Sequence, residues 1–549
     1  MPADLILRGA TVHTVDAARS TAQAVAIEAG RIAAVGDADE LDGLRGPATR
    51  IVDLDGAMVL PGFQDAHCHL GSSGHALTLC ALEETGGPDE HLRRIAAYRE
   101  AHPDRDWVVG SGWSMSDFPG GTPSATALDA VVPDRPAVLT NRDYHGVWVN
   151  TRALELAGIT AATPDPAGGR IERDEHGAPM GTLQEQAMHL VLDLAPAPTH
   201  ADRVAGIRAA VAHYHRLGIT ACQDAKVDAE WQAAYEELAR AGDLGLRVRG
   251  ALEWDVGRGD EQVADLVERR RSGTVGRLAC GNVKFFHDGV VENRTAAMLD
   301  PYLDAEGRPT EEYGIDMYAR ADLERFARLC DAKGFGVHIH TIGDRAVRES
   351  LDVLEAAIRA NGRRDARHQL AHVQFAHPDD LPRFRALGVI ANVTPLWARL
   401  EAYVAEMTLP FVSERAGSGM YPFGSIVRAG GSLAFGSDWS VSTPDPRQQL
   451  ATAVARRDPL GSAEEPLLPE ERLDLGTAIA AHTIGAAHAC SLDAVTGSLE
   501  PGKLADLVVL DRDLFGLAPA DYLGVRVLGT FGEGEVVHAE SGSALAGEA

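Results

Sequence analysis

Apolar positions along the chain form short runs that alternate with longer stretches of helical periodicity. Helical patterns over 200–217, 321–333 and 345–360 lie between runs rich in aliphatic residues. This alternation predicts parallel strands joined by helical crossovers. Eight runs read as strands: 58–66, 218–224, 246–251, 281–286, 336–340, 368–372, 387–393 and 432–438. They predict an α/β fold, a (β/α)8 TIM-type barrel, whose active site lies at the C-terminal ends of the strands.

The pattern at the two termini is different. Residues 1–60 read as short alternating strands broken by glycines, and two further β-rich runs, 505–510 and 525–528, lie near the other end. Isolated strands need partners to be stable. We therefore expect the two terminal segments to pair with each other in one small β-sandwich.

The stretch after the first predicted barrel strand lacks a regular strand and helix alternation, which predicts an inserted subdomain that packs over the barrel mouth. The expected organisation has five segments. They are the N-terminal part of the sandwich (1–60), barrel strand one (61–76), the inserted subdomain (77–200), the metal-binding barrel (201–495), and the C-terminal part of the sandwich with a tail (496–549).

Composition narrows the functional class. The 549 residues carry a net charge of −29, with 45% hydrophobic and 24% charged residues, which is ordinary for a soluble globular protein. The acidic balance argues against nucleic acid and anionic membranes as partners. No apolar run is long enough to span a bilayer, and no signal peptide is visible at the N-terminus. Six cysteines without close spacing favour a reduced, cytoplasmic protein.

The candidate chemistry centres on residues 60–69, with the sequence LPGFQDAHCH. Residues two apart on a strand face the same way, so His67 and His69 project together and form half of a metal site. Further candidates stand at or near the ends of predicted strands four, five, six and eight. These are Lys284, His340, His372 and Asp438.

The run at 60–69 resembles the first-strand signature of the amidohydrolase superfamily. Later motifs resemble its amidohydrolase 3 branch, which includes N-substituted formamide deformylase-like proteins. The islands at 110–113, 142–150 and 181–185 follow the order typical of that branch, and the segment 497–506 is similar to the one that returns such chains to the sandwich. The resemblance extends from about residue 5 to about residue 540.

The resemblance implies a centre with two divalent metal ions. His67, His69 and Asp438 would bind the more buried ion, and His340 and His372 the more exposed one. Zinc is the expected metal. Iron remains an alternative, because imidazole and carboxylate ligands accept both metals.

The resemblance also implies that Lys284 bridges the two ions as a carbamate formed with carbon dioxide. An ammonium cannot ligate a cation, whereas a carbamate offers anionic oxygens. Alternatively, Lys284 pairs with Asp288, which would leave room for a single metal ion. His338 shares a face with His340, and we expect it to lie one layer deeper and to hydrogen-bond inside the barrel.

Asp438 is predicted to accept a proton from the attacking water and to pass it to the leaving nitrogen. His145 resembles a family histidine over the site, and we expect it to contact the oxyanion. The predicted substrate pocket contains Trp113, Tyr144, Phe286, His287 and Trp397. His287 could instead face solvent. The branch commonly has glycine where Tyr144 stands, and because this bulkier side chain would change the pocket, the identity of the substrate is not determined.

Three functional classes follow. The leading hypothesis is a metal-dependent hydrolase that cleaves a C–N bond of an amide, formamide or carbamate-like small molecule. The alternative is a di-iron oxygenase that hydroxylates an apolar small molecule on the same scaffold. The third is a binding protein without activity, against which the full ligand set argues. By analogy with the family, we expect a homodimer.

Overall fold

The computed structural model describes residues 2–82, 87–142, 146–166, 169–292, 294–401, 403–461 and 465–547. The chain forms two compact units, one of residues 1–70 with 211–549 and one of residues 71–210. Within these described ranges, no helix is both long enough and apolar enough to cross a membrane.

The N-terminal segment of the larger unit builds one side of a sheet. Its elements are β1 (Leu5–His13), β2 (Thr21–Glu28), β3 (Arg31–Gly36), α1 (Ala38–Leu41), β4 (Arg50–Asp53) and β5 (Met58–Pro61). β1 pairs antiparallel with β2 and parallel with β4 and β5. Its alternating residues Leu5 and Leu7 enter a hydrophobic core, as the period of two along a strand requires.

The first barrel strand is β6 (Phe63–Cys68), followed by α2 (Leu70–Ala76). The prediction of a single strand over 58–66 is wrong, because Gly62 separates β5 from β6 and the two strands belong to different sheets. A Cβ atom at Gly62 would lie 2.4 Å from the side chain of Thr220. Only glycine lets the chain pass this close to its neighbour.

Residues 71–210 form the smaller unit. Its elements are β7 (Cys80–Ala81), α3 (Gly87–Ala101), β8 (Val108–Trp113), α4 (Ala125–Asp129), β9 (Ala137–Asn141), β10 (Gly146–Val149), α5 (Thr151–Leu156), β11 (Gly169–Arg173), β12 (Pro179–Glu185) and α6 (His189–Leu192). The strands form one sheet in the order β11-β12-β10-β9-β8-β7. Helix α7 (His200–Arg216) begins in this unit and ends in the larger one.

Strands and helices then alternate through the larger unit. The elements are β13 (Ile219–Val227), α8 (Ala229–Ala241), β14 (Arg247–Glu253), α9 (Gln262–Ser272), β15 (Thr274–Val275), β16 (Leu278–Phe286), α10 (Arg320–Ala332), β17 (Gly336–Thr341), α11 (Asp344–Asn361), β18 (Gln369–His372), α12 (Leu381–Leu387), β19 (Ile390–Val393), α13 (Glu414–Ser418), α14 (Phe423–Arg428), β20 (Ser432–Phe435), α15 (Pro446–Ala455), α16 (Leu475–Ala480) and α17 (Ala486–Ala489).

Eight of these strands build the barrel. They pair in the order β6-β13-β14-β16-β17-β18-β19-β20, and all seven pairings are parallel. The helices supply the outer layer through one apolar face. In α11, for example, Val347, Leu351 and Leu354 recur at helical spacing and are buried. The predicted (β/α)8 barrel is confirmed.

The barrel is nearly closed. Within the described residues, β6 and β20 lie at opposite ends of the pairing order and form no ladder with each other. Two backbone hydrogen bonds join the chain just beyond them. The amide of Asp438 donates to the carbonyl of His67 at 2.7 Å, and that of His69 donates to the carbonyl of Trp439 at 2.8 Å.

The C-terminal segment returns to the first sheet with β21 (Leu507–Leu510), β22 (Val527–Gly532) and β23 (Glu535–Ala539). β21 pairs antiparallel with β5, which gives the strand order β23-β22-β21-β5-β1-β2-β3. Val25 of β2 and Phe531 of β22 enter the same hydrophobic core. Both termini therefore contribute strands to one sheet, which confirms that the terminal segments pair with each other, whereas their arrangement as a two-layer sandwich stays a prediction.

Candidate metal centre

The six predicted ligands stand on five barrel strands or directly after them. Parallel strands end at the same edge, so this placement brings the side chains to one face of the barrel. His67 lies in β6 and His69 follows it, Lys284 lies in β16, His340 in β17, His372 ends β18, and Asp438 follows β20.

Asp438 is the centre of the first group of predicted ligands. Its Oδ1 atom lies 3.5 Å from Nε2 of His67 and 3.2 Å from Nε2 of His69. The ammonium nitrogen of Lys284 lies 3.5 Å from the same Nε2 atom of His67. Three of the predicted donors thus point at one carboxylate oxygen or at each other.

His340 and His372 form the second group. Their ring centroids are 4.7 Å apart, and the ring of His372 is 4.8 Å from that of His67. The ligand atoms of His67, His372 and Asp438 all lie within 4.8 Å of one another. Imidazole nitrogens and carboxylate oxygens are donors for zinc and iron, so these residues fit a metal centre.

One hydrogen bond fixes the ring of His340. Its Nε2 atom lies 3.3 Å from the carbonyl oxygen of Gly289. A carbonyl can only accept, so in the neutral ring Nε2 carries the hydrogen and Nδ1 keeps its lone pair. Such outer contacts are the usual means by which a protein orients a histidine ligand.

His338 lies in a polar layer beneath the centre. Its Nε2 atom is 3.0 Å from Nδ1 of His67, and its Nδ1 atom is 2.8 Å from the amide nitrogen of Gln223. Gln223 and Asn392 both donate to the amide oxygen of Gln369, at 3.0 and 2.9 Å. The prediction that His338 hydrogen-bonds inside the barrel is confirmed.

Asp65 joins the two edge strands and was not assigned a role from the sequence. Its carboxylate accepts from the amide and the hydroxyl of Ser437, at 2.9 and 2.5 Å, and from the hydroxyl of Tyr214 at 2.9 Å. The amide of His67 donates to it at 3.2 Å. Burial raises the pKa of Asp65 to about 6, against the effect of these hydrogen bonds. The only sequence signal was its place in the motif.

Burial dominates the protonation of the ligands. It lowers the pKa of His67 and His340 well below the ordinary value, that of His372 to about 4, and that of Lys284 to about 7. Burial raises the pKa of Asp438, but hydrogen bonding and the charges of His372 and Lys284 outweigh it and lower the pKa overall. Neutral imidazoles and an ionised carboxylate are the forms that bind metals.

Two of the predicted ligands have a strained backbone. The φ angles of His372 and Asp438 are +70° and +53°. A non-glycine residue in the left-handed region costs of order 1 kcal/mol or more, and such strain is concentrated at functional sites. Both residues end or follow a barrel strand, where the left-handed turn redirects the chain.

Lys284 does not pair with Asp288 among the described residues. Asp288 accepts instead from the backbone amides of Ala297, Ile342 and Gly343, at 2.9, 3.0 and 2.9 Å. These bonds tie the loop after β16 to the turn after β17. The lysine is buried beside His67, and its carboxylation remains a prediction.

Of the predicted pocket residues in the barrel unit, Phe286 and Trp397 contact ligands. Phe286 has its ring centroid 5.7 Å from that of His340, and Trp397 stacks on His372. His287 is buried, so the solvent-facing alternative is wrong, and its Nε2 atom lies 3.2 Å from a carboxylate oxygen of Glu349. Whether these residues touch a substrate remains a prediction.

Trp113 is buried in the core of the smaller unit, where its indole N–H donates to the carbonyl of Leu139 at 2.7 Å. Tyr144 and His145 fall outside the described residues. Their predicted roles, as a pocket residue and an oxyanion contact, stay predictions.

Comparison with known proteins places this site in a family. The sequence profile of the amidohydrolase family matches residues 50–538. Protein LONG AFTER FAR-RED 3 of Arabidopsis thaliana is 31% identical over 96% of this chain and 91% of its own length. The N-substituted formamide deformylase of Arthrobacter pascens is also 31% identical, over 98% of this chain and 99% of its own length.

The fold of this chain also matches that of a solved structure. An uncharacterized metal-dependent hydrolase from Pyrococcus horikoshii OT3 superposes with a TM-score of 0.74 and 25% identity, over 94% of this chain and 99% of that chain. The family profile extends over most of the sequence, and two relatives exceed 30% identity over nearly full length. The chain therefore belongs to the amidohydrolase family and is an enzyme, a metal-dependent hydrolase.

Proposed function

We propose that this enzyme hydrolyses the C–N bond of an amide, formamide or carbamate-like small molecule with an activated water. The observation that carries the proposal is the convergence of the six predicted ligands at one face of the barrel. Similarity to the formamide deformylase over nearly all of both chains supports a formamide or a related amide as the substrate class.

The residues divide into two sets of ligands. His67, His69 and Asp438 would hold one divalent ion, and His340 and His372 a second. Zinc is the expected metal and iron the alternative. When bound, such ions lower the pKa of a water molecule and withdraw electrons from a carbonyl group.

Lys284 would complete the centre as a carbamate. Its neutral amine would attack the carbon of carbon dioxide to form an N–C bond, the nitrogen would release one proton to solvent water, and the resulting carbamate would carry the negative charge on its two oxygens. The buried amine suits this reaction, because a pKa of about 7 leaves a large unprotonated fraction at neutral pH. An ordinary lysine is almost fully protonated there.

Asp438 would move the proton. Its carboxylate accepts a proton from the attacking water and delivers it to the nitrogen of the leaving amine. The contact with Nε2 of His69 at 3.2 Å holds the carboxylate at the centre of the site. His145 is proposed to donate a hydrogen bond to the oxyanion.

The test combines turnover with metal analysis. The wild-type enzyme, Asp438→Asn and the control Asp379→Asn, an exposed carboxylate, are assayed against formamides, acetamides and carbamates. Asp438→Asn is expected to lose at least about a hundredfold in kcat, as general acid–base catalysis is worth that much or more, and to retain most of its metal. Wild-type turnover in Asp438→Asn would overturn its role. Fully loaded wild-type enzyme that hydrolyses none of the compounds would overturn the proposed function.

The di-iron oxygenase alternative has no support among the described residues or the relatives. Two irons per chain with oxygen consumption on an apolar substrate would bring it back. The homodimer remains a proposal from analogy, and light scattering of the purified protein tests it.

A further inference from the structure

Lysine is rare in this chain. Of 51 basic residues only four are lysines, Lys226, Lys284, Lys333 and Lys503. Two of these four, Lys226 and Lys284, lie near the C-terminal ends of barrel strands, where both ammonium groups face the ring of Phe286. The nitrogen of Lys284 is 4.8 Å from the ring centroid and that of Lys226 is 5.9 Å from it.

The two lysines differ in their access to solvent. Lys284 is 1% exposed and belongs to the metal centre. The side chain of Lys226 is 47% exposed and lies near the C-terminal end of β13. Its ammonium makes an ion pair of 3.2 Å with Glu253, which ends β14 and is the register partner of Lys284.

Phe286 connects this ion pair to the centre. Its ring lies 5.7 Å from the ring of the predicted ligand His340 and 5.9 Å from the ammonium of Lys226. The ring of Phe286 is half-buried, so a molecule whose carbonyl group reaches the predicted ligands would pass its partly exposed edge. The far end of that molecule would then meet the charged pair.

Lys226 has capacity for a further partner. An ammonium carries three donors, and Glu253 accepts at one of them. Because the pair is partly exposed, its own interaction is weak, and a second carboxylate can join it at little cost in desolvation. Lysine provides a compact point charge for this purpose, whereas 47 of the 51 basic residues of the chain are arginines.

We propose that Lys226 is a specificity-determining residue that binds a carboxylate at the end of the substrate remote from the scissile bond. The substrate class would be amides or formamides with an apolar body and a terminal carboxylate. This inference rests on the proposed function for the reaction and on Lys226, Glu253 and Phe286 for the recognition.

Two matched formamides test the inference on the metal-loaded enzyme. N-benzylformamide and 4-(formamidomethyl)benzoate differ only in the carboxylate. We expect the wild type to favour the carboxylate in kcat/KM, through KM, and Lys226→Met to reduce the ratio of the two kcat/KM values about two- to fivefold, the range of one exposed ion pair. The control Lys333→Met, an exposed lysine after α10, should keep the wild-type ratio. An unchanged ratio in Lys226→Met overturns the inference.

The variant Glu253→Gln distinguishes recognition of the substrate by Lys226 from a purely structural ion pair between Lys226 and Glu253. If Lys226 binds the substrate, removal of the competing carboxylate should raise the preference for the charged formamide. If Lys226 only holds Glu253 in place, Glu253→Gln and Lys226→Met will lower the preference together, and the inference is overturned.

Binding of an inert ligand distinguishes this inference from the proposed function. Calorimetry measures the affinity for 4-methylbenzoate and for neutral 4-methylbenzamide in the wild type and in Lys226→Met. A preference for the benzoate that depends on Lys226, in enzyme that turns over none of the formamides, acetamides and carbamates, would support the inference and overturn the proposed reaction. Turnover of both formamides without such a preference would overturn the inference alone.

Discussion

The indole ring of Trp397 lies parallel to the imidazole of His372, with 5.0 Å between ring centroids and an interplanar angle of 9°. The indole N–H donates to the hydroxyl of Ser442 at 3.2 Å, and that hydroxyl donates to the carbonyl of Ser437 at 2.5 Å. Ser437 precedes Asp438. Trp397 thus connects His372, at the end of β18, with the segment that carries Asp438, after β20, through one stacked ring pair and two hydrogen bonds.

Replacement of Trp397 tests this link. Trp397→Ala should weaken metal affinity about 10- to 100-fold, the range typical for loss of a contact that orients a ligand. Trp397→Phe retains a ring for stacking but lacks the N–H donor, so its loss should be smaller. Competition with a chromogenic chelator measures the affinity. Wild-type affinity in Trp397→Ala would leave the residue with a pocket role alone.

Removal of Lys284 should change the number of metal ions. We expect about two zinc ions per chain in protein purified without chelator, the number the carbamate-bridged centre requires, and a sharp decrease in Lys284→Ala. Elemental mass spectrometry measures both, with Lys333→Ala as the control. One ion in both proteins would mean that Lys284 is structural, and the two-metal mechanism would have to be abandoned.

Gly436 allows the last barrel strand to approach the first. A Cβ atom there would lie 2.5 Å from Cβ of His67 and 2.7 Å from its backbone nitrogen, so Gly436→Ala must displace the ligand. Overpacking of this kind costs roughly 1–3 kcal/mol. We expect lower metal content and a lower urea midpoint, whereas Gly516→Ala, which has open space around it, should behave as wild type. Normal metal content in Gly436→Ala would contradict the observed approach.

His482 makes stability depend on pH. Its Nδ1 atom lies 3.0 Å from the carbonyl of Gln64, and burial lowers its pKa to about 4. At pH values between the pKa of 6.5 in the unfolded chain and the pKa of about 4 in the folded protein, His482 binds a proton more strongly in the unfolded chain than in the folded one. The free energy of unfolding therefore falls by about 1.4 kcal/mol per pH unit from this group as the pH drops through that window.

The variant His482→Asn can donate to the same carbonyl but does not titrate. Urea unfolding at pH 7.5, 6.0 and 5.0 should show a shallower loss of stability in the variant than in the wild type. Identical slopes in the two proteins would assign the acid sensitivity to other groups.

The barrel and the strand ends that carry the candidate ligands were predictable because their signals are local. A buried strand such as β17 and an amphipathic helix such as α11 can be predicted from the spacing of their apolar residues. His67 and His69 share a strand face for the same reason. The ligands on other strands needed the resemblance to a family as well, because histidine and lysine in isolation carry no such pattern.

The remaining features depend on contacts between distant parts of the chain. Gly62 divides one apolar run between two sheets, which follows from its closeness to Thr220. The hydrogen bonds of Asp65 with Tyr214 and Ser437 join residues far apart in sequence. No pattern of spacing within a single element records such contacts.

Within the described residues, the edge between β6 and β20 has no strand ladder. The backbone hydrogen bonds donated by His69 and Asp438, together with the hydrogen bonds that the carboxylate of Asp65 accepts, connect the two strands there. The same groups place the ligands. An opening fluctuation at this edge would separate His67 from Asp438, the two residues that would hold an ion between them. A bound ion in turn opposes the fluctuation by mass action. Ion dissociation and amide hydrogen exchange at this edge are then two measures of a single equilibrium.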